Sequence, residues 1–271
     1  MCPNSKAFSG YQWHYYPSLQ AGHYRSHADR FLASVNWPAL IEYATEKRNG
    51  INCVLLPDIG LGLNNMVRIL EFADGLRWVA RLQMPPLAES TSCEDTPNTK
   101  MNREFHAISL VQQKTRVPVP QIYALESGGD CSVRAPFMLM DCLEGNVAMD
   151  LGKEIPPESK QTALSDLAKI HVQLSKVQLP MIGTILSINT DGSYQQGPIP
   201  GLGGPFNAAT QFFETWAAKV RFGMPDERLR AACGQYATEI IHSVETFPKS
   251  ICDLANRLSL RDHGPFPLCH V

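Results

Sequence analysis

Residues 51–84 read INCVLLPDIGLGLNNMVRILEFADGLRWVARLQM, and two strand-like runs within this stretch meet at a two-residue hairpin, Asp74-Gly75. An Asp-Gly pair between apolar runs is the strongest short-range hairpin signal, because both central positions of that turn need positive φ. A strand into Leu56, a turn at Gly60 and Gly62, a strand over 66–72 and a strand over 76–82 therefore predict an antiparallel meander. In the last strand Arg77, Val79 and Arg81 fall on one face, and Leu76, Trp78, Ala80 and Leu82 on the other. One face is expected to pack while the other presents cations.

Upstream, residues 36–50 (NWPALIEYATEKRNG) predict a helix with an early proline and a glycine stop, placed to cover the sheet. Residues 1–30 are rich in Tyr, His and Ser without a period, so they are expected to form an arm or a poorly ordered extension. Downstream, residues 85–100 read as a polar loop leading into a helix over 102–114, ended by Pro118 and Pro120. On that helix Glu104, Ile108 and Val111 follow the i, i+4, i+7 spacing of an inward stripe. PQIYALES (120–127) and APFMLM (135–140) predict two more strands around a Gly128-Gly129 turn, followed by the linker DCLEGN (141–146).

Beyond Pro157 the chain turns mainly helical. Leu164, Leu167, Ile170, His171 and Leu174 line one stripe; Phe212, Phe213, Trp216 and Val220 line a second helix. Two further helical patterns carry Leu229, Cys233, Tyr236 and Ile240, and then Ile251, Leu254 and Leu258. Residues 192–206 (GSYQQGPIPGLGGPF) read as a long loop, and 263–271 (HGPFPLCHV) open like a buried strand. The fold class expected is α+β.

Composition narrows the function classes. A chain of 271 residues with 44% hydrophobic content suits one large domain or two lobes. A formal net charge of -2 gives no basic excess for nucleic acid or an anionic membrane. The eight cysteines include no CxxC pair and no zinc spacing, which fits reduced thiols. No secretory signal pattern opens the sequence, and no run approaches the ~20 apolar residues of a membrane span. A soluble, cytoplasmic protein with no nucleic-acid or membrane partner is expected.

Five strands with an inserted helix, a short linker and a helical lobe resemble the protein-kinase-like fold. Within it the sequence is similar to the aminoglycoside phosphotransferase family, its fungal-type members above all, from residue 36 onward. The resemblance implies an extension over 1–35, an N-lobe over 36–145 and a helical C-lobe over 146–271. It implies ATP and Mg²⁺ as cofactors and a hydroxyl of a small molecule as acceptor, of unknown identity. Gly60, Gly62 and Asn64 take the place of a turn whose backbone N–H groups approach nucleotide phosphates. Taken alone, a GxG in a hairpin is an ordinary turn. Arg81 stands where the family carries a nucleotide-contacting lysine, and Glu104 where the helix supplies its carboxylate partner. Arginine differs from lysine in size, hydration and geometry, and each residue taken singly also fits an unrelated surface position.

Met140, Asp141, Cys142 and Leu143 resemble the hinge, with backbone groups for the adenine edge and apolar walls for its ring. A buried strand ending in a turn requires the same residues. His171 fits a core or partly buried position, and Cys142 and Cys269 fit small apolar fillers. PFPLCHV resembles the strand that leads into the family's catalytic loop, with His270 and Val271 in its first two positions and the catalytic aspartate due next. The metal-binding Asn and Asp of that pattern would follow. A native product longer than 271 residues is therefore expected, as is a chain that transfers no phosphate by itself and leaves apolar helix faces open. Two other readings stand beside this one: a non-catalytic kinase-like remnant that binds nucleotide or protein, and an unrelated α+β interaction protein in which Arg81 and Glu104 lie apart.

Overall fold

The computed structural model describes residues 16, 19–87, 97–128, 131–143, 155–220, 225–258 and 263–268. The chain falls into two compact units, residues 1–171 and 172–271. The expected lobe boundary at 145–146 lies outside the described residues.

In the first unit the strands β1 (Cys53–Leu61), β2 (Asn65–Phe72), β3 (Arg77–Gln83), β4 (Ile122–Glu126) and β5 (Phe137–Asp141) form one antiparallel sheet. Their order is β1-β2-β3-β5-β4, with β3 at the centre. Gly75, at φ +84°, closes the β2–β3 hairpin where a side chain would be strained. The first turn departs from expectation. Gly60 does not lie in it; β1 runs on to Leu61, Gly60 pairs with Val67, and the bend falls at 62–64. An irregularity between Leu55 and Ile59 absorbs the extra length, and Arg68 Nη2 donates to the Leu56 carbonyl there at 2.7 Å.

Helices cover both faces. On one side lie α1 (His23–Ser34) and α2 (Trp37–Lys47). Asn36 caps α2, its Oδ1 accepting from the Ala39 N–H at 3.3 Å, while its own N–H donates to the Val133 carbonyl at 2.9 Å. One residue thus starts the helix and ties it to the β4–β5 connection. Leu40, Ala44, Ala28, Phe31 and Val35 pack with Met66, Leu70, Phe72, Trp78, Ala80, Leu82, Phe137 and Leu139. The expected arm through residue 30 is corrected by α1. His27, Ala28 and Phe31 are buried on it, an i, i+1, i+4 set too short to stand out among the surrounding Tyr, His and Ser.

On the opposite face lies α3 (Pro97–Lys114), five residues longer at its start than the sequence predicts. Its Met101 packs with Met138 and Met140, flanked by Phe105, Val79, Ile122 and Leu125. Trp78 stacks on Tyr123 with ring centroids 4.2 Å apart, and Phe137 meets Tyr43 edge-on at 5.1 Å.

In the second unit, β7 (Thr184–Ile188) and β8 (Tyr194–Gly197) form a hairpin whose second strand lies inside the stretch expected to be a loop. Asp191 Oδ1 accepts from the Ser193 N–H at 2.8 Å, an Asx turn that polar composition conceals. The helices α5 (Ala209–Lys219), α6 (Asp226–Cys233) and α7 (Ala237–Leu258) follow. The two expected helical patterns re-divide: Ile240 shares α7 with Ile251, Leu254 and Leu258, and Pro248 lies within that helix. Phe206, Phe212, Trp216 and Phe247 form its aromatic contacts. The short strands β6 (Gln178–Leu179) and β9 (Phe266–Pro267) pair antiparallel, and residues 263–268 are partly or fully exposed rather than buried.

The helix α4 (Pro157–Ser175) forms as expected, but its apolar stripe is open: Leu164 is 63% and Leu167 50% exposed. Periodicity reports a helix and its apolar side, not what covers it. Phe137, by contrast, is 0% exposed. Replacing Phe137 by Ala is expected to cost about 3–5 kcal/mol, and Leu164→Ala to stay within about 0.5 kcal/mol. Urea unfolding followed by tryptophan fluorescence measures both.

Candidate functional site

The centre of the site is set by strand alternation. The residues of β3 that point away from α1 and α2 are Arg77, Val79, Arg81 and Gln83, all on the side that α3 covers. Arg77 is engaged across the sheet, its Nε donating to Glu71 Oε2 at 2.6 Å. Arg81 instead reaches α3, where its Nη1 donates to Glu104 Oε1 in a direct ion pair. The two residues expected from the sequence to meet do meet. An unrelated interaction protein would have been supported by their separation, and the structure removes that support.

Asn65 completes the guanidinium's surroundings. It lies across from Gln83 on β2. Its amide fits with the oxygen toward Arg81 Nη2, at 2.9 Å, and the nitrogen toward the Asn64 carbonyl, at 3.3 Å. Burial lowers the pKa of Arg81 from its ordinary value, yet a guanidinium remains charged at any physiological pH. A cation fixed by one carboxylate and one amide oxygen is pre-organised, with little freedom left to lose when it meets an anion.

Beside it lies a small recess open to solvent, lined by Asn64, Asn65, Arg81, Gln83, Lys100, Met101 and Glu104. Gln83 is 9% exposed and its Oε1 has no protein partner. A buried acceptor without a partner is the kind of group that a ligand or an ordered water satisfies. Lys100 adds a second cation one helical turn before Glu104. Asn65, Gln83 and Lys100 escaped the sequence reading. Two signals point to them: the period-two register that sets Asn65 and Gln83 two residues from Val67 and Arg81, and the i, i+4 spacing of Lys100 and Glu104.

The glycine bend lies at the same end of the sheet. Gly62 N–H donates to the Asn65 carbonyl and Met84 N–H to the Asn64 carbonyl, each at 2.9 Å. A Cβ on Gly62 would meet nothing nearer than 3.8 Å, and its φ lies outside the left-handed region. Internal packing therefore does not require glycine there. Gly60 lies within β1 opposite Val67, which itself faces Arg81.

The hinge candidates separate. Met140 pairs with Val79 and is buried in the α3-side cluster, on the face that carries Arg81. Asp141 ends β5 opposite Trp78. Its carboxylate accepts from the Gln121 N–H at 2.8 Å and from the Tyr123 hydroxyl, so the side chain fastens the start of β4. Burial, then the bond to Asp141, raises the Tyr123 pKa. Cys142 is partly exposed, Leu143 is 59% exposed, and the chain beyond 143 lies outside the described residues until 155. His270, the expected first residue of the catalytic loop, also lies outside them. His171 falls on α4 and is exposed there, not in a core. Among the described residues no helix is long and apolar enough to cross a membrane.

No protein-family model matches the chain, and no curated protein matches it. Among solved structures it is similar to a provisionally assigned aminoglycoside phosphotransferase from Ralstonia eutropha JMP134, at 23% identity and a TM-score of 0.30 over 41% of this chain. That match spans 29% of the Ralstonia chain. It is also similar to Rio2 kinase from Chaetomium thermophilum, solved as an ADP/Mg²⁺-phosphoaspartate complex, at 14% identity and a TM-score of 0.38. This second match covers 82% of this chain and 75% of the other. Superpositions this loose assign nothing residue by residue. The fold class stands on the sheet itself: α+β, with a five-stranded antiparallel sheet and a helix inserted between β3 and β4.

Removing the acceptor for Gln121 and Tyr123 by Asp141→Ala is expected to cost about 0.5–1.5 kcal/mol. Cys142→Ser and Leu143→Ala are expected to stay within about 0.5 kcal/mol. Urea midpoints of the three variants separate the structural carboxylate from its neighbours.

Proposed function

We propose that the first unit is the nucleotide-binding lobe of a kinase-type phosphotransferase, similar to aminoglycoside phosphotransferases, that transfers phosphate from ATP to a hydroxyl of a small molecule. The observation that carries this reading is the Arg81–Glu104 pair, which fixes a cation of the central strand beside a recess bounded by the turn at Asn64 and Asn65. Phosphoryl transfer depends on positioning and charge neutralisation, so a held cation facing a recess is its first requirement.

The residues fit the polyphosphate of a nucleotide. Arg81 would contact the α- and β-phosphates, Glu104 would hold it there, and Lys100 would add positive charge at the rim. Gly62 leaves room for a phosphate against the backbone, a reason for glycine that packing within the chain does not supply. Val67 and Val79, on the face of Arg81, offer an apolar surface for a base, with Met140 buried beside Val79 and backbone groups of Asp141, Cys142 and Leu143 next in sequence. Magnesium is expected with the nucleotide. Among the described residues no group of three or more His, Cys, Asp or Glu is placed to hold a metal, so no step is assigned to it here.

On this reading the first unit binds nucleotide, and turnover draws on further groups outside that lobe. Neither nucleic acid nor a membrane is a proposed partner, and a cytoplasmic setting is proposed.

Calorimetry of the 271-residue chain with ATP and magnesium tests the proposal. Saturable binding is expected. Arg81→Met should weaken ATP about 10-fold or more while adenosine binds as before, because a charge-assisted contact to phosphate is lost. Absence of ATP binding, or an affinity indifferent to Arg81, would overturn the assignment.

A further inference from the structure

The turn at Gly62 is held from outside the sheet. Tyr24, on the first turn of α1, donates its hydroxyl to the Gly62 carbonyl at 2.7 Å. One helical turn further, His27 places Nε2 3.0 Å from the carbonyl of Pro85, just past the end of β3. These two carbonyls flank the place where the β1–β2 turn and the end of β3 join, closed by Met84 N–H donating to Asn64. Ala28 and Phe31, buried in the core, fix the helix that carries both anchors. A residue 38 positions away in sequence thereby sets where the Gly62 peptide sits.

We propose that α1 is a positioning element for the ligand-facing turn, with Tyr24 the positioning residue. The inference deepens the nucleotide-binding reading and rests on it for its functional meaning. Three physical points support it. First, Gly62 is free of packing constraint: no atom lies within 3.8 Å of a Cβ built there, so the bend has no side chain of its own to hold it. A glycine turn left alone would sample many conformations, and ordering it on ligand binding would cost affinity. Second, the hydrogen bond is made to the carbonyl of the bend. The Gly62 N–H already meets the Asn65 carbonyl, so the bend is fixed on both sides of one peptide residue. Third, Asn65, the next residue but two, carries the amide that contacts Arg81. A displacement of the turn would therefore reach the cation.

His27 complements this role. Buried at 8% exposure, it bonds the strand end rather than the turn, so it fastens α1 to the sheet independently of Tyr24. Removing the Tyr24 hydroxyl alone should loosen the bend without detaching the helix.

The test is Tyr24→Phe in the 271-residue chain, which deletes the hydroxyl and keeps the ring. Amide hydrogen exchange without ligand should quicken about 2- to 10-fold at residues 62–65, the effect of one net hydrogen bond, while β3 and β5 quicken by no more than that factor and the melting temperature falls by no more than about 4 °C. ATP affinity should fall by a similar factor and adenosine affinity should not. Unchanged exchange at 62–65 overturns the positioning role, even if the parent binds ATP well. Faster exchange in a chain that binds no ATP in parent or variant keeps the role of α1 and removes the nucleotide reading. An equal loss of ATP and adenosine affinity would also overturn the inference, since the turn would not then act through the phosphates. Tyr24→Leu with the same readouts serves as the second variant, expected to reproduce the faster exchange.

Discussion

The middle strand of a five-stranded sheet has no free face, and β3 must satisfy two environments with alternate residues. Trp78, Ala80 and Leu82 enter the core beneath α1 and α2, where hydrophobic burial is the main source of stability. The same alternation sends Val79 and Arg81 to the side of α3. A guanidinium on that side is stable only if its charge is met, and Glu104 meets it from the helix. The ion pair is thus the consequence of strand parity together with the packing of Met101 and Phe105, which fixes the rotation of α3 over the sheet. Site geometry and core packing cannot be varied separately here.

This dependence explains what the sequence made legible. The family resemblance points to Arg81 and Glu104, and two periods, two residues along a strand and about 3.6 along a helix, put both in an inward phase. The Asp74-Gly75 hairpin fixed which strands are neighbours. Other features were hidden by the lack of a local signal. The end of β1 was misplaced because Gly60 resembles a turn residue, and only its pairing with Val67 shows that the strand continues. Asn65 and Gln83 look like ordinary polar strand residues until cross-strand register sets them beside Arg81. The Asp141 side chain is engaged by Gln121 and Tyr123, a role that depends on β4 arriving beside β5.

The second unit shows the converse limit. Its helices were legible from apolar spacing, yet the β7–β8 hairpin was not, because its turn at Asp191 and Gly192 runs directly into a glycine- and proline-rich stretch. In the first unit, α-helical periodicity over Leu164 and Leu167 likewise said nothing of exposure. Local pattern dictates element type, while burial is a property of the neighbours.

The irregularity in β1 carries a constraint on how the lobe can change length. Between Leu55 and Ile59 the strand advances four residues while β2 advances two, from Leu70 to Arg68. The surplus is even, so Cys53, Leu55, Ile59 and Leu61 all remain in or against one core. Loss or gain of a single residue at 56–58 would invert everything that follows, sending Ile59 and Leu61 to the wrong surface and turning Gly60 away from Val67. Changes by pairs preserve the order. Related chains should therefore differ at this position in steps of two, a selection rule on insertions and deletions that arises from the pleat alone.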